Sequence, residues 1–295
     1  MSRQISTLIG FFAVLMWAVL AVLTAASGTI PPFELAAITF LIGGLLGAVT
    51  WPFRPHAMRA LKQRPMVWLV GVGGLFGYHA VYFSALRSAP AIEASLIAYL
   101  WPLLLVVFSA LLPGEKLRLH HGAGVVLGLL GAFLVITKGE HLSLANGVHF
   151  GHGLALACAV IWAGYSVLSR RFGEVPSDAV AGFCLATAAL AALCHFVFEE
   201  TVWPTQTSQI LAVIGLGVFP VGAAFYVWDH GVKRGDIMVL GAASYASPLL
   251  STLVLVGAGY APVHWSVVAA CILITLGAVL AAKDMLLKRS KKIET

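Results

Sequence analysis

The segment Gly77–Phe83, with the sequence GYHAVYF, brings a histidine and two tyrosines close together. Tyr78 and Tyr82 are four residues apart, so both would lie on one face of a helix with His79 beside them. The segment lies inside Val67–Leu86, a run of twenty residues without Asp, Glu, Lys or Arg. Hydroxyl and imidazole groups there could hydrogen-bond a solute. His79 could also take up a proton near neutral pH, although a lone buried histidine is usually neutral.

Four more aromatic side chains lie in the middle of long apolar runs: Trp17, Tyr99, Trp101 and Trp162. In membrane proteins Trp and Tyr concentrate at the two interfaces, where their polar atoms reach water. In the middle of a span each N–H or O–H needs a partner. Any one of the four could be a packing residue, but together they favour the wall of a cavity that holds solute.

Two prolines, Pro102 and Pro248, interrupt apolar runs in the matching sequences AYLWPLL and SYASPLL. A proline inside a helix removes the hydrogen bond to the carbonyl four residues earlier, here that of Ala98 or Ser244. Such carbonyls survive at membrane depth only against protein or a water-filled cavity. Interruptions at corresponding places therefore indicate a transporter's binding site, with kinks that serve only packing as the alternative.

Serines form a polar stripe on one predicted helix, because Ser244, Ser247 and Ser251 recur at i, i+3 and i+7. Serines also allow close helix packing in lipid, so the stripe fits either a cavity face or a helix contact. Small-xxx-small spacings, which predict helix packing alone, occur at Gly73/Gly77 and Gly124/Gly128.

The composition places these residues in a membrane. The chain has 295 residues, of which 60% are hydrophobic and 10% charged, with a mean hydropathy of +0.95. Soluble domains carry about 25% charged residues, and apolar runs of roughly 20 residues suit a bilayer core about 30 Å thick. We therefore predict an all-α polytopic membrane protein with ten transmembrane helices, near 5–25, 33–51, 67–86, 90–111, 120–137, 153–170, 178–198, 209–229, 237–257 and 264–282.

The basic residues predict the orientation of these helices. With a cytoplasmic N-terminus, sixteen Lys and Arg side chains fall on the inner side and only Arg87 and Lys138 on the outer side. This asymmetry follows the positive-inside rule and predicts both termini in the cytoplasm of a cell with the chain in its inner (plasma) membrane. The net charge of +6 is thus an orientation signal toward the lipid bilayer, and nucleic acid is not an expected partner.

The two halves of the chain resemble each other at a nearly constant offset. AYLWPLL (Ala98–Leu104) matches SYASPLL (Ser244–Leu250), which pairs Tyr99 with Tyr245, and Tyr82 pairs with Tyr226. Each predicted half, residues 1–145 and 146–295, contains five helices. Because five is odd, the second half enters the membrane from the opposite side. The chain is therefore predicted to contain two inverted five-helix repeats, which are typical of secondary transporters.

Ten short helices in two five-helix repeats, together with PGEKL (Pro113–Leu117) at the inner end of the fourth helix, resemble the EamA-type members of the drug/metabolite transporter superfamily. Within that superfamily the aromatic residues at mid-membrane most resemble those of aromatic amino acid exporters. The resemblance implies an exporter that works by alternating access. The second half has no glutamate that matches Glu115, which we interpret as a loop or cap residue.

The scarcity of charged side chains in the middle of the spans favours a solute of small net charge. Glu93 and Asp229 lie near helix ends with basic residues within reach, Arg87 for the first and Lys233 or Arg234 for the second, so we predict structural ion pairs there. A zwitterionic aromatic amino acid suits Trp, Tyr and Ser side chains. The predicted substrate-binding residues are Trp17, Tyr78, His79, Tyr82, Tyr99, Trp101, Pro102, Trp162, Tyr226, Ser244, Tyr245, Ser247, Pro248 and Ser251.

Other functions remain open at this point. Export of other metabolites or drugs is the main alternative, followed by a membrane enzyme or a channel. His149/His152 and His120/His121 lie in loops on opposite sides and lack the further ligands of a metal or catalytic site. We predict no cofactor, no metal and no catalytic residue. Two fused repeats make a monomer sufficient for transport.

Overall fold

The computed structural model describes residues 1–89, 91–137, 149–259, 265–281 and 283. Within these residues the chain is helical, and no strand occurs. The helices are α1 (Arg3–Ala18), α2 (Leu20–Ala26), α3 (Pro32–Ala48), α4 (Pro55–Arg59), α5 (Pro65–Ser88), α6 (Ala91–Ala98), α7 (Trp101–Ser109), α8 (Leu119–Thr137), α9 (Phe150–Arg171), α10 (Ala179–Phe198), α11 (Thr207–Val218), α12 (Ala224–Arg234), α13 (Ile237–Ala243), α14 (Ala246–Gly257) and α15 (Trp265–Ala281). A five-residue π-helix, Phe219–Ala223, joins α11 to α12.

Long apolar helices confirm the all-α membrane architecture. Six stretches of the described chain are long and apolar enough to cross a bilayer, and three shorter apolar helices accompany them. Many large apolar side chains on these helices are exposed, such as Leu69, Leu193 and Phe196. This surface suits lipid rather than water. The count of ten crossings stays a prediction.

We call each helix that runs from one end of the bundle to the other a rod, whether it is continuous or consists of two consecutive segments. Four of the rods are divided into two segments. The breaks lie at Val19, at Tyr99–Leu100, at the π-helix and at Ser244–Tyr245. Pro102 and Pro248 follow two of the breaks and lie in the first turn of the next segment, where a missing N–H costs least. The expectation of an open Ser244 carbonyl is wrong, because the chain tightens there and Ser247 N–H donates to that carbonyl at 3.0 Å.

Close helix crossings depend on particular glycines. A Cβ at Gly231 would lie 2.4 Å from the Cα of Gly10, and one at Gly124 would lie 2.5 Å from the carbonyl oxygen of Gly277. Packing at Gly124 and Gly128 is as predicted. The prediction for Gly73 and Gly77 is wrong: Gly73 has open space beside it, whereas the neighbouring positions Gly71 and Gly74 face the rings of Phe183 and Tyr165.

The rods run alternately between two ends of the bundle. We name these the Arg3 end, where α1 begins, and the Glu34 end, where α3 begins. Arg3 contacts Glu115 and Asp236, which follow α7 and precede α13. At the opposite end, Glu34 contacts the chain after α10 at Val202. The most extensive helix–helix contacts are those of α3 with α10, α5 with α9, α1 with α12 and α8 with α15.

Candidate functional site

A cavity of about 350 Å³ lies between the helices. Its wall comes from α1, α2, α3, α5, α7, α9, α11, the π-helix, α12, α14 and the residues between α6 and α7. The lining residues are Trp17, Leu20, Thr24, Pro32, Leu35, Ala36, Thr39, Phe40, Tyr78, His79, Tyr82, Phe83, Leu86, Tyr99, Trp101, Trp162, Leu216, Pro220, Val221, Phe225 and Ser247. Most of these positions lie between the middle of their rod and the Glu34 end, with Trp162 and Phe225 just past the middle. The cavity therefore occupies one half of the bundle.

Tryptophan rings form the floor of this cavity. The ring centroid of Trp17 is 6.3 Å from that of Trp101 and 5.7 Å from that of Trp162, both in edge-to-face arrangements. Trp228 lies behind them, 5.2 Å from Trp17, and is fully buried. Its indole N–H donates to Ser166 Oγ at 3.0 Å. Contacts of this kind fix the positions of the rings.

The π-helix holds Trp17 in place. The indole N–H of Trp17 donates to the carbonyl oxygen of Pro220 at 3.0 Å. A π-helix shifts the backbone bonding pattern by one residue, and such bulges often occur at functional sites. Here Pro220 and Val221, within the π-helix, line the cavity. The irregular backbone is thus shielded by a ring and by the cavity, as the low polarity of a membrane interior requires.

The segment GYHAVYF forms one wall of the cavity. Tyr78 and Tyr82 stack with their centroids 5.8 Å apart. Nδ1 of His79 is 2.7 Å from the carbonyl oxygen of Leu75, so Nδ1 carries the hydrogen, since a carbonyl only accepts. Phe40 packs edge-to-face against the imidazole at 5.0 Å. The histidine is therefore oriented by its own helix and by α3.

Eight of the fourteen predicted site residues line the cavity: Trp17, Tyr78, His79, Tyr82, Tyr99, Trp101, Trp162 and Ser247. They come from both halves of the chain and meet around one space. Their role in binding substrate stays a prediction.

The other six predicted residues do not line the cavity. The Tyr226 hydroxyl donates to the Gly43 carbonyl at 3.0 Å, and the Ser244 hydroxyl donates to that of Leu240 at 2.7 Å. Tyr245 is fully buried, with its ring where a Cβ of Gly128 would be. The remaining three, which lie in α7 and α14 away from the lining, are Pro102, Pro248 and Ser251. The serine stripe therefore contributes Ser247 alone.

Sequence reasoning missed the contribution of α3. Pro32, Leu35, Ala36, Thr39 and Phe40 all line the cavity. After Glu34 in its first turn, helix α3 carries Thr39 as its only polar side chain, so its apolar pattern does not mark the face toward the cavity. Leu216, on the apolar helix α11, was missed for the same reason. Phe225, on α12, was also missed; it stacks on Phe40 at 5.6 Å with an interplanar angle of 8°.

Charged side chains close the Arg3 end. Arg170, on the last turn of α9, donates to the carbonyls of Val232 and Gly235, each at 2.8 Å, and pairs with Glu115. Arg3 pairs with Glu115 at 3.0 Å and with Asp236 at 3.2 Å. We call Arg3, Glu115, Arg170 and Asp236 the ionic clasp. Glu115 lies in the loop between α7 and α8, as predicted, and its carboxylate also joins α1 to α9.

A second ion pair lies near the clasp. Lys233 Nζ is 2.8 Å from Asp229, whose carboxylate also accepts from Ser177 Oγ at 2.6 Å. This confirms the predicted pairing of Asp229. The side chains of Glu93 and Arg87 lie outside the described residues.

The histidine pairs cap helices. The backbone N–H of His149 donates to Nδ1 of His152, and that of Arg118 donates to Nδ1 of His121. Within the described ranges no group of three or more His, Cys, Asp or Glu side chains is arranged to hold a metal ion. The geometry thus offers an aromatic cavity as the candidate site.

Comparison with known proteins fits this site. Residues 4–137 and 149–283 each match the EamA-like transporter family. The aromatic amino acid exporter YddG of Ancylobacter novellus is 54% identical over 282 residues, which cover 95% of this chain and 98% of that protein. The aromatic amino acid exporter YddG of Escherichia coli (strain K12) is 26% identical over 270 residues, which cover 85% of this chain and 88% of that protein. A solved crystal structure with 53% identity has a TM-score of 0.89 and covers 95% of this chain and 98% of its own.

Proposed function

The chain belongs to the EamA-like transporter family, and from this premise we propose that it exports aromatic amino acids through the aromatic cavity. It is a membrane transporter and not an enzyme. The relative that is 54% identical across nearly its whole length is named an aromatic amino acid exporter. The observation that carries the proposal is a cavity whose floor consists of three indole rings.

The cavity suits the aromatic part of such a solute. Trp17, Trp101 and Trp162 present indole edges and faces at centroid distances of 5.7 to 6.3 Å from one another. A substrate ring that stacks on one of them gains about 0.5–1.5 kcal/mol beyond the burial of its surface. A volume of about 350 Å³ lies within the usual range for small-molecule sites, roughly 300–1,000 Å³.

The polar lining suits the charged end of a zwitterion. Among the described residues that line the cavity, none is Asp, Glu, Lys or Arg. A solute with a net charge would remain unpaired there, which costs several kcal/mol in a medium of low polarity. A zwitterion can place its ammonium and carboxylate groups beside the Tyr, Ser and His side chains that line the cavity. The absence of lining charges therefore favours amino acids over permanent cations.

Helix pairing supports ten crossings in two inverted repeats. If residues 1–145 and 146–295 correspond in order, α1 matches α9, and α5 matches the rod of α11 and α12. The pairing of α1 with α12 then corresponds to the pairing of α9 with α5, and both occur. The pairings of α3 with α10 and of α8 with α15 correspond to themselves. This arrangement is what an inverted repeat requires.

We infer the orientation from the basic residues, which place the Arg3 end in the cytoplasm and the Glu34 end outside. The cavity then lies in the outer half, and its rim includes Thr24, Pro32 and Leu86. The tryptophan floor and the ionic clasp separate it from the cytoplasm. This is the outward-open state of an alternating-access cycle. Inward opening requires the clasp to separate.

Exchange in liposomes tests the substrate. Purified protein in liposomes preloaded with unlabelled tryptophan should take up labelled tryptophan saturably, and phenylalanine should compete while alanine and a cationic dye should not. Trp101→Leu and Trp162→Leu should each raise the half-saturating concentration roughly 2- to 12-fold, the equivalent of one lost stacking contact. Trp203→Leu is the matched control, because Trp203 is 71% exposed and is not one of the lining residues. Transport of the dye alone would refute the proposed substrate.

A further inference from the structure

A cluster of three ionisable side chains lies at the Glu34 end, apart from the cavity lining. Glu34 is in the first turn of α3, His195 in the last turn of α10, and Glu199 follows α10 directly. Their side chains are 5%, 6% and 3% exposed. Two carboxylates and an imidazole are rarely buried together unless each has a defined role.

The Glu199 carboxylate caps helix α3. It accepts the backbone N–H of Phe33 at 3.0 Å and that of Glu34 at 3.1 Å. The N-terminus of a helix carries a partial positive charge and free N–H groups, which stabilise an ionised carboxylate. Nδ1 of His195 lies 3.2 Å from the same carboxylate. This part of the cluster is explained by capping.

The Glu34 carboxylate is not explained in this way. Its Oε2 accepts the N–H of Val202 at 2.9 Å. Its Oε1 is buried and has no hydrogen-bond partner. Nε2 of His195 lies 4.0 Å from Oε2 and 2.9 Å from Thr201 Oγ1. A buried carboxylate with one hydrogen bond is costly, so the site has an uncompensated negative charge unless a positive charge joins it.

We propose that Glu34, His195 and Glu199 form a proton-binding site at the rim of the cavity. In the protonated form the imidazolium lies between two carboxylates, with Nδ1–H toward Glu199 and Nε2–H toward Thr201 and Glu34. In the deprotonated form Nε2 accepts from the Thr201 hydroxyl. The bound proton attracts Glu34 of α3 to His195 of α10 and so tightens the contact between these helices.

The surroundings of the cluster are otherwise uncharged where they are described. Glu200 is exposed, Phe33 packs on Phe83 of α5 at 5.7 Å, and Gln209 of α11 contacts the chain at Gly28. Asp229 and Lys233 of α12 lie at the opposite end. Arg87 of α5 has a side chain outside the described residues.

The position of the cluster links it to the cavity. Pro32 and Leu35, on either side of Phe33 and Glu34, line the cavity, as does Phe83. The proton comes from the aqueous phase at the Glu34 end. By holding α3 against α10, it therefore stabilises the rim of the cavity. The site needs no substrate to bind its proton, so its test is independent of the proposed function.

Thermal unfolding of the purified full-length protein between pH 5 and pH 8 tests the site. A folded state that holds one more proton than the unfolded state gains stability as pH falls, by up to tenfold per pH unit in the folded-to-unfolded ratio. As pH falls, the melting temperature of the wild type should rise relative to that of Glu34→Gln. Glutamine keeps the shape of the side chain and the bond to Val202, so this variant removes only the negative charge. Glu200→Gln, the exposed neighbour, should follow the wild type.

The second variant, His195→Gln, covers the case in which Glu34→Gln fails to fold, and it should also lose the gain at low pH. Curves for the wild type and the folded variant that run parallel across the range would overturn the proposal. A difference that follows sodium concentration instead of pH would overturn it as well, because it would identify a metal-cation site.

Discussion

Loss of Arg170 should shift the protein from the outward-open to the inward-open state. In the described state this guanidinium, 17% exposed, pairs with Glu115 and donates to two backbone carbonyls. Replacement by methionine keeps the length of the side chain but leaves one carboxylate and two carbonyls without their donor. In an inward-open state these groups would reach cytoplasmic water, so the substitution costs little there.

The size of the shift follows from these contacts. Hydrogen bonds to charged groups contribute about 1.5–3 kcal/mol each, and breaking a buried ion pair costs about 3–5 kcal/mol in total. Some of that loss is shared with Arg3, which also holds Glu115 at 3.0 Å. A net bias of about 3 kcal/mol against the outward-open state changes the ratio of the two states roughly 100-fold.

Thiol accessibility measures this ratio. Leu35→Cys, on the cavity wall near the Glu34 end, serves as reporter in a background whose native cysteines are replaced by alanine. A membrane-impermeant maleimide applied from outside should label the reporter readily, and Arg170→Met should slow that labelling by an order of magnitude or more. Arg54→Met is the matched control, because its ion pair with Asp178 lies at the same end but is largely exposed and contributes little. Unchanged labelling in Arg170→Met, or an equal loss in Arg54→Met, would refute the role of the clasp.

Two further predictions concern packing. Gly231→Ala should destabilise the protein by about 1–3 kcal/mol through overpacking, because its Cβ would lie 2.4 Å from the Cα of Gly10. The melting temperature of this variant should therefore fall. Gly257 has open space beside it, so Gly257→Ala should leave the melting temperature unchanged or raise it. Trp17→Phe should leave the Pro220 carbonyl without its donor, at a cost of about 1–3 kcal/mol, and should weaken tryptophan exchange; a variant with wild-type melting and exchange would show that this bond holds neither the floor nor the π-helix.

The aromatic wall was predictable from sequence because its signal is chemical. Tyr78, His79 and Trp162 stand out at mid-span, where lipid offers their polar atoms no partner, and all three line the cavity. Pro102 and Pro248 correctly marked helix breaks. A break, however, fixes where a rod divides and not which side chains face the cavity. Both prolines are buried beside the breaks, and the residues just before them that line the cavity are Tyr99 and Trp101 in one rod and Ser247 in the other.

The cavity face of α3 and the ionic clasp were not predicted from the sequence, for two different reasons. Helix α3 is apolar almost all round, so no periodicity distinguishes its cavity face from its lipid face. The ionic clasp joins Arg3, Glu115, Arg170 and Asp236, which are separated by up to 233 positions in the sequence numbering. Each was visible as a charge at a helix end, but their meeting depends on how the halves pack. Local sequence carries no information about that packing.

The same clasp explains why two similar halves give one open side. Under the proposed repeat, the positions that correspond to Arg3, Glu115, Arg170 and Asp236 at an offset of 146 are His149, Ala261, Thr24 and Pro90. None of these four can form a matching set of strong ion pairs, so the clasp has no counterpart at the positions that correspond to it under the repeat. At the Glu34 end, the buried ionisable groups that the structure describes lie where α3 meets α10, a pair that corresponds to itself under the repeat. Under the proposed alternating-access cycle, the clasp therefore favours the state whose cavity opens at the Glu34 end, and the free energy of solute binding from the other side must offset the clasp in every cycle.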